Sequence, residues 1–200
     1  MKIYTPLFIA VRIFIYSLFM FAIAEAIMFD ASNPMEGGYF GEITLTEISQ
    51  EIILFILFVF YLLFGYKNKT MQPLTNIVSF FFLASFFREL NFLIKWEYPV
   101  VAVFIVIIWL VMRDFKKIKI ATIAFFSQPA SGWFLAGFLM IYIFSRLMGR
   151  SKFWLLLYNE DNYRLAKAAT EEGIELAGNL LMIIAAIEFL LFHIAEKRKS

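Results

Sequence analysis

The sequence predicts an all-α fold, a polytopic membrane helical bundle with about six transmembrane helices and both termini cytoplasmic. Three observations carry that expectation. The chain is 62% hydrophobic and only 17% charged, more apolar than a water-facing surface tolerates. Its apolar residues fall in runs long enough to cross a bilayer core of ~30 Å as helix, about 20 residues each. Lysine and arginine gather in alternate connections, the pattern that sets membrane orientation.

The first span runs over 7–29 and carries Arg12 and Glu25 inside it. An alternative reading treats this run as a secretory leader, with Lys2 as its positive start and small residues at Ala22, Ala24 and Ala26. Arg12 interrupts that pattern, and the apolar run continues to Phe29. A polar stretch from Asp30 to Thr44 precedes the second span, 45–66. Thr44 to Glu47 fits a capping box, with Thr44 as N-cap and Glu47 three residues on.

The third span is expected over 73–93 and the fourth, a short one, over 98–112. The fifth is expected over 118–145 and contains Gln128-Pro129, where a helix must kink or begin because proline lacks a backbone donor. Phe153 to Tyr158 reads as an interfacial apolar segment, and Asn159 to Asn162 as the start of a helix whose span covers 168–193. Without repeats or low-complexity linkers, residues 1–200 form a single transmembrane domain in this reading.

Orientation follows from the basic residues. Lys67 and Lys69, then Arg113, Lys116, Lys117 and Lys119, then Lys197, Arg198 and Lys199, all fall on the side of Lys2. That side is the cytoplasm, which makes the chain a multi-pass protein of the inner (plasma) membrane. The connection bearing Arg146, Arg150, Lys152, Arg164 and Lys167 runs against the rule, since parity places it outside.

Parity also sorts the charged residues. Glu25, Glu47, Glu51, Arg88, Glu89, Glu171, Glu172 and Glu175 all fall toward the outer leaflet. Glu47, Gln50 and Glu51 share one helical face, as do Glu171, Glu175 and Asn179, with Gly178 beside them allowing close approach of another helix. A carboxylate in hydrocarbon costs on the order of 2.5–3.5 kcal/mol, so such faces turn inward and find partners. The expectation is an outward-opening polar chamber lined by these carboxylates, with Arg88 and Arg146 as counter-charges. Toward the inner side, Arg12 and Glu188 are expected to pair between the first and last spans.

Composition excludes much chemistry. No cysteine means no thiolate catalysis, iron–sulfur cluster or thiolate zinc site. The one histidine, His193, reads as interfacial rather than as a ligand. Glu171-Glu172 is similar to the EExxxR motif of CAAX-type intramembrane proteases, but Leu176 stands where that motif needs arginine, and its histidine segments are missing. Nucleic-acid binding is not suggested, because the basic residues are short flanking clusters.

Carboxylates without histidine or cysteine suit protons or hard cations, so Ca²⁺, Mg²⁺ or Mn²⁺ is the cofactor class to consider. Three function classes are open: cation or proton transport or sensing, a non-catalytic membrane interaction or assembly role, and a metal-assisted enzyme acting on lipid head groups. The second would use the loop Glu36-Gly37-Gly38-Tyr39-Phe40-Gly41 to dock a membrane-protein partner. The lipid bilayer is the partner common to all three.

Overall fold

The computed structural model describes residues 5–33, 40, 43–90, 95–158 and 163–197. Lys2, most of the 36–41 loop, the end of the expected third span, Asn159 to Asn162, Arg198 and Lys199 lie outside the described residues. The described chain is helical. In order come α1 (Pro6–Ser32), α2 (Leu45–Lys67), α3 (Gln72–Glu89), α4 (Glu97–Phe126), α5 (Ala130–Leu139), a π-helical stretch (Met140–Phe144), α6 (Ser145–Met148), α7 (Ser151–Trp154) and α8 (Tyr163–Lys197). Five segments are long and apolar enough to cross a membrane: α1, α2, α4, Ala130–Met148 and α8. The helix α3 occupies the expected third span but is not one of the five. Its 18 residues include Gln72, Thr75, Asn76, Ser79, Ser85, Arg88 and Glu89, which dilute its apolar character.

The middle of the chain differs from the expected spans. The basic stretch 113–119, read as a loop, lies inside α4, which continues across a kink at Asp114 (φ −118°, ψ 23°). Lysine and arginine are good helix formers, and no proline or glycine lies between Arg113 and Phe126 to stop the helix. The stop comes at Ser127-Gln128-Pro129. Both Ser127 Oγ and Gln128 Nε2 donate to the Ala124 carbonyl, at 2.8 and 3.0 Å, and α5 begins just past Pro129. Of the two readings of Pro129, the structure has the helix begin there. Thirty residues of helix measure about 45 Å, longer than the ~30 Å hydrocarbon core, so α4 can cross and still carry its lysines beyond it.

The chain divides into two compact units, Met1–Gln50 with Trp133–Ser200, and Glu51–Gly132. In the first unit α8 is the central element, touching α1, the π-helical stretch, α6 and α7. Close approach is set by Gly137 and Gly178: a Cβ on Gly137 would meet the Gly178 carbonyl at 2.7 Å, and one on Gly178 would meet Ile141 Cγ1 at 2.5 Å. Tyr16, Leu180 and Ile184 form a small buried core between α1 and α8. In the second unit α3 packs along α4, the Tyr61 ring stacks on Phe82 at 5.8 Å, and Ser79 Oγ donates to the Phe58 carbonyl.

Candidate functional site

The first unit holds a polar seam built from α1, α2, α6 and α8. At its start is Asp30, 3% exposed at the end of α1. Its carboxylate accepts from the Leu45 N–H (2.9 Å), the Thr46 N–H (2.8 Å) and the Thr46 hydroxyl (2.7 Å). The two N–H groups are orphan donors of the first turn of α2, so α1 caps α2 through a side chain, where the helix dipole favours negative charge. Thr44 occupies the N-cap position, its carbonyl accepting from the Ile48 N–H, and its hydroxyl lies 3.1 Å from that of Thr46. The capping-box pattern gives no sign of this long-range cap, because nothing local ties Asp30 to a turn fifteen residues away.

One helical turn beyond Thr46 stands Gln50, buried on the same face of α2. Its Nε2 donates to Glu172 Oε2 at 2.8 Å, and its Oε1 accepts from Asn179 Nδ2 at 3.4 Å. Asn179 is 2% exposed, and its Oδ1 has no hydrogen-bond partner among the described residues. Glu172, Glu175 and Asn179 follow one another at three- and four-residue steps, so one face of α8 presents all three.

Beside them Ser145 and Arg146 reach α8 from the segment just past the π-helical stretch. Ser145 Oγ lies 3.0 Å from Glu175 Oε1 and 2.5 Å from the Ile141 carbonyl, its single O–H shared between the two acceptors. Arg146 bridges two carboxylates, Nη1 to Glu171 at 2.9 Å and Nη2 to Glu175 at 2.8 Å, and Lys167 lies 3.7 Å from Glu171. The wider π turn shifts the register of the residues after it, Ser145 and Arg146 first, and such bulges recur at functional sites. No feature of the sequence announces it.

Farther along α8, Arg12 Nη1 lies 2.7 Å from both oxygens of Glu188. Tyr16, one turn after Arg12, donates its hydroxyl to Glu188 Oε1 at 2.6 Å and meets Trp133 edge-on at 6.0 Å. Sequence reasoning misses Tyr16, although its four-residue step from Arg12 places both on one face. His193 donates Nδ1–H to the Phe189 carbonyl at 2.9 Å, one turn back in its own helix.

The remaining expected residues fall elsewhere. Glu47 is half-buried in the first turn of α2. Glu25 is exposed on α1, and the structure does not bring it to the seam. Glu51, Arg88 and Glu89 belong to the second unit, where the Arg88 guanidinium binds the Glu89 carboxylate and Glu89 lies near enough to Glu51 to act on it electrostatically. No group of three or more histidine, aspartate or glutamate side chains converges as a metal cage among the described residues.

Comparison with known proteins finds no matching family model, no similar curated protein and no similar solved structure. The geometry therefore stands by itself. It defines an all-α chain with long apolar helices compatible with a membrane protein, and a buried carboxylate–amide seam in one of its units.

Proposed function

We propose that the chain is a multi-pass membrane protein that binds a proton or a monovalent cation at the Gln50–Glu172–Asn179 seam, as part of transport or sensing. The observation that carries this reading is the Asn179 Oδ1, a buried acceptor oxygen with no donor among the described residues, on the face of α8 that also carries Glu172 and Glu175. A buried acceptor without a partner costs about 1–3 kcal/mol, and a proton on a neighbouring carboxyl or a bound cation would remove that cost. Glu175, with Ser145 and Arg146, forms the adjoining part of the same face. A divalent ion of the Ca²⁺ class wants about six to eight oxygens, for which no cage of acids is present among the described residues, so a singly charged ligand fits this donor set better.

A second reading has one specific observation behind it. Asp30, Glu171, Glu175 and Glu188 all hold partners on another helix, as acid–base glue in a non-catalytic interaction or assembly protein would.

Thermal unfolding of the purified full chain in detergent separates the two. Na⁺, K⁺, Ca²⁺, Mg²⁺, Mn²⁺ and pH (from about 5 to about 9) are titrated against wild type, Glu172→Gln and Asn179→Leu. Ion or proton binding predicts a saturable, selective rise in Tm that both variants lose; at about one hundred times Kd the folded state gains about 2.7 kcal/mol. A flat response in wild type, with both variants merely less stable, would make the seam structural.

A further inference from the structure

The second unit carries a cleft of a different chemistry. The helix α4 kinks at Asp114, and there it leaves a space of about 610 Å³ against the turn that joins α2 to α3. Lys69, Gln72 and Asn76 line one wall, and Arg113, Asp114 and Lys117 the other. That volume is within the ~300–1,000 Å³ of ordinary ligand pockets. Gln72 and Asn76 are one turn apart at the start of α3, so both amides share a face there. The first turn of α3 contains no acidic residue to offset the positive end of its dipole.

Charge in the cleft is unbalanced. Three cations, Lys69, Arg113 and Lys117, face a single carboxylate. Asp114 is held by Arg113 Nε at 2.7 Å and by Lys117 Nζ at 3.2 Å. Neither contact uses up its donor. Guanidinium has five N–H groups and ammonium three, and both side chains remain at least half exposed. Lys69 is placed by its ring neighbour, with Nζ 4.8 Å from the centre of the Tyr66 ring. Fixed, exposed donors of this kind suit a tetrahedral oxyanion.

Met112 and Phe115 flank Arg113 and Asp114 in sequence, Tyr66 and Trp109 stand three residues before Lys69 and four before Arg113, and all four are more than half exposed. Arg113 also lies 4.4 Å from the centre of the Trp109 ring. A polar cleft with exposed aromatic rings against two of its cations matches an amphiphile with a phosphate head.

We propose that the kink cleft of α4 is a binding site for a phosphate-bearing anion, held by Lys69, Arg113 and Lys117 with the Gln72 and Asn76 amides. The site is independent of the carboxylate seam, and its test touches none of the seam residues.

The test uses the full chain in uncharged detergent. Thermal stability is followed against short-chain phosphatidylglycerol, short-chain phosphatidylcholine and sodium phosphate, with chloride matching ionic strength throughout. Wild type is compared with Lys69→Gln and Lys117→Gln, and with Lys95→Gln as a control outside the cleft. Lys69 makes no ion pair among the described residues, so its loss leaves the Asp114 network in place. The expected result is a saturable stabilisation by phosphatidylglycerol or phosphate, weakened about fivefold in apparent Kd by each cleft variant and unchanged by the control. A response to phosphatidylglycerol but not to phosphate assigns the ligand to a lipid head group; a response to phosphate alone assigns it to the free anion. Equal responses to phosphatidylglycerol and phosphatidylcholine, no response to either probe, or cleft variants that behave as wild type would overturn the proposal.

Discussion

Arg12 and Glu188 illustrate what a single charged residue costs inside apolar helices. Each would be expensive alone, and each has a short contact to the other, with Tyr16 satisfying one carboxylate oxygen further. Their side chains are 13% and 9% exposed, so solvent screens the pair little. Breaking a buried pair from one side leaves an uncompensated charge and costs about 3–5 kcal/mol. Glu188→Leu and Arg12→Met are each expected to lower stability in detergent by that order. The double variant Arg12→Met with Glu188→Leu, or the charge swap, is expected to recover most of it. Additive losses, measured by thermal unfolding, would mean that the two side chains do not act as a pair.

Helices in this chain are positioned by small residues and by caps at their ends. Gly137 and Gly178 let α5 and α8 approach until backbone meets backbone, and neither position has room for a methyl group. Gly178→Ala is therefore expected to destabilise by about 1–3 kcal/mol. Gly132→Ala, where an added Cβ meets nothing within 4 Å, should be neutral or slightly stabilising through helix propensity. The comparison is a pair of unfolding curves, and equal effects at the two sites would remove the case for a close crossing at Gly178.

The same scale shows what can be read from the sequence. Apolar run length locates α1, α2 and α8, and the four-residue steps place Asn179 and Glu175 on one face. Gly178 is legible too, as a small residue beside that stripe. The helical continuation of α4 through its lysines is not, because hydropathy registers where charge lies and not where a backbone turns. Contacts made across many residues, Asp30 to Thr46 or Ser145 to Glu175, leave no local pattern at all. Span length and parity say nothing of the rotation of Glu25 about the helix axis, and it lies on an exposed face of α1 rather than in the seam.

For the whole molecule, the claim to be tested is the expected six-span topology, in which α3 crosses the bilayer beside the five more apolar segments and Lys69 and Lys117 lie on the opposite side from Lys95. The absence of cysteine gives a clean probe, because any single cysteine introduced is the only thiol. Lys69, Lys95 and Lys117 are all exposed and lie in three different connecting or kinked regions. The measurement is labelling of Lys69→Cys, Lys95→Cys and Lys117→Cys in intact cells with a membrane-impermeant maleimide, before and after permeabilisation. The account predicts that the cysteine replacing Lys95 labels from outside at once, while those replacing Lys69 and Lys117 label only after permeabilisation. Labelling of Lys69→Cys or Lys117→Cys in intact cells, or protection of Lys95→Cys, would contradict it.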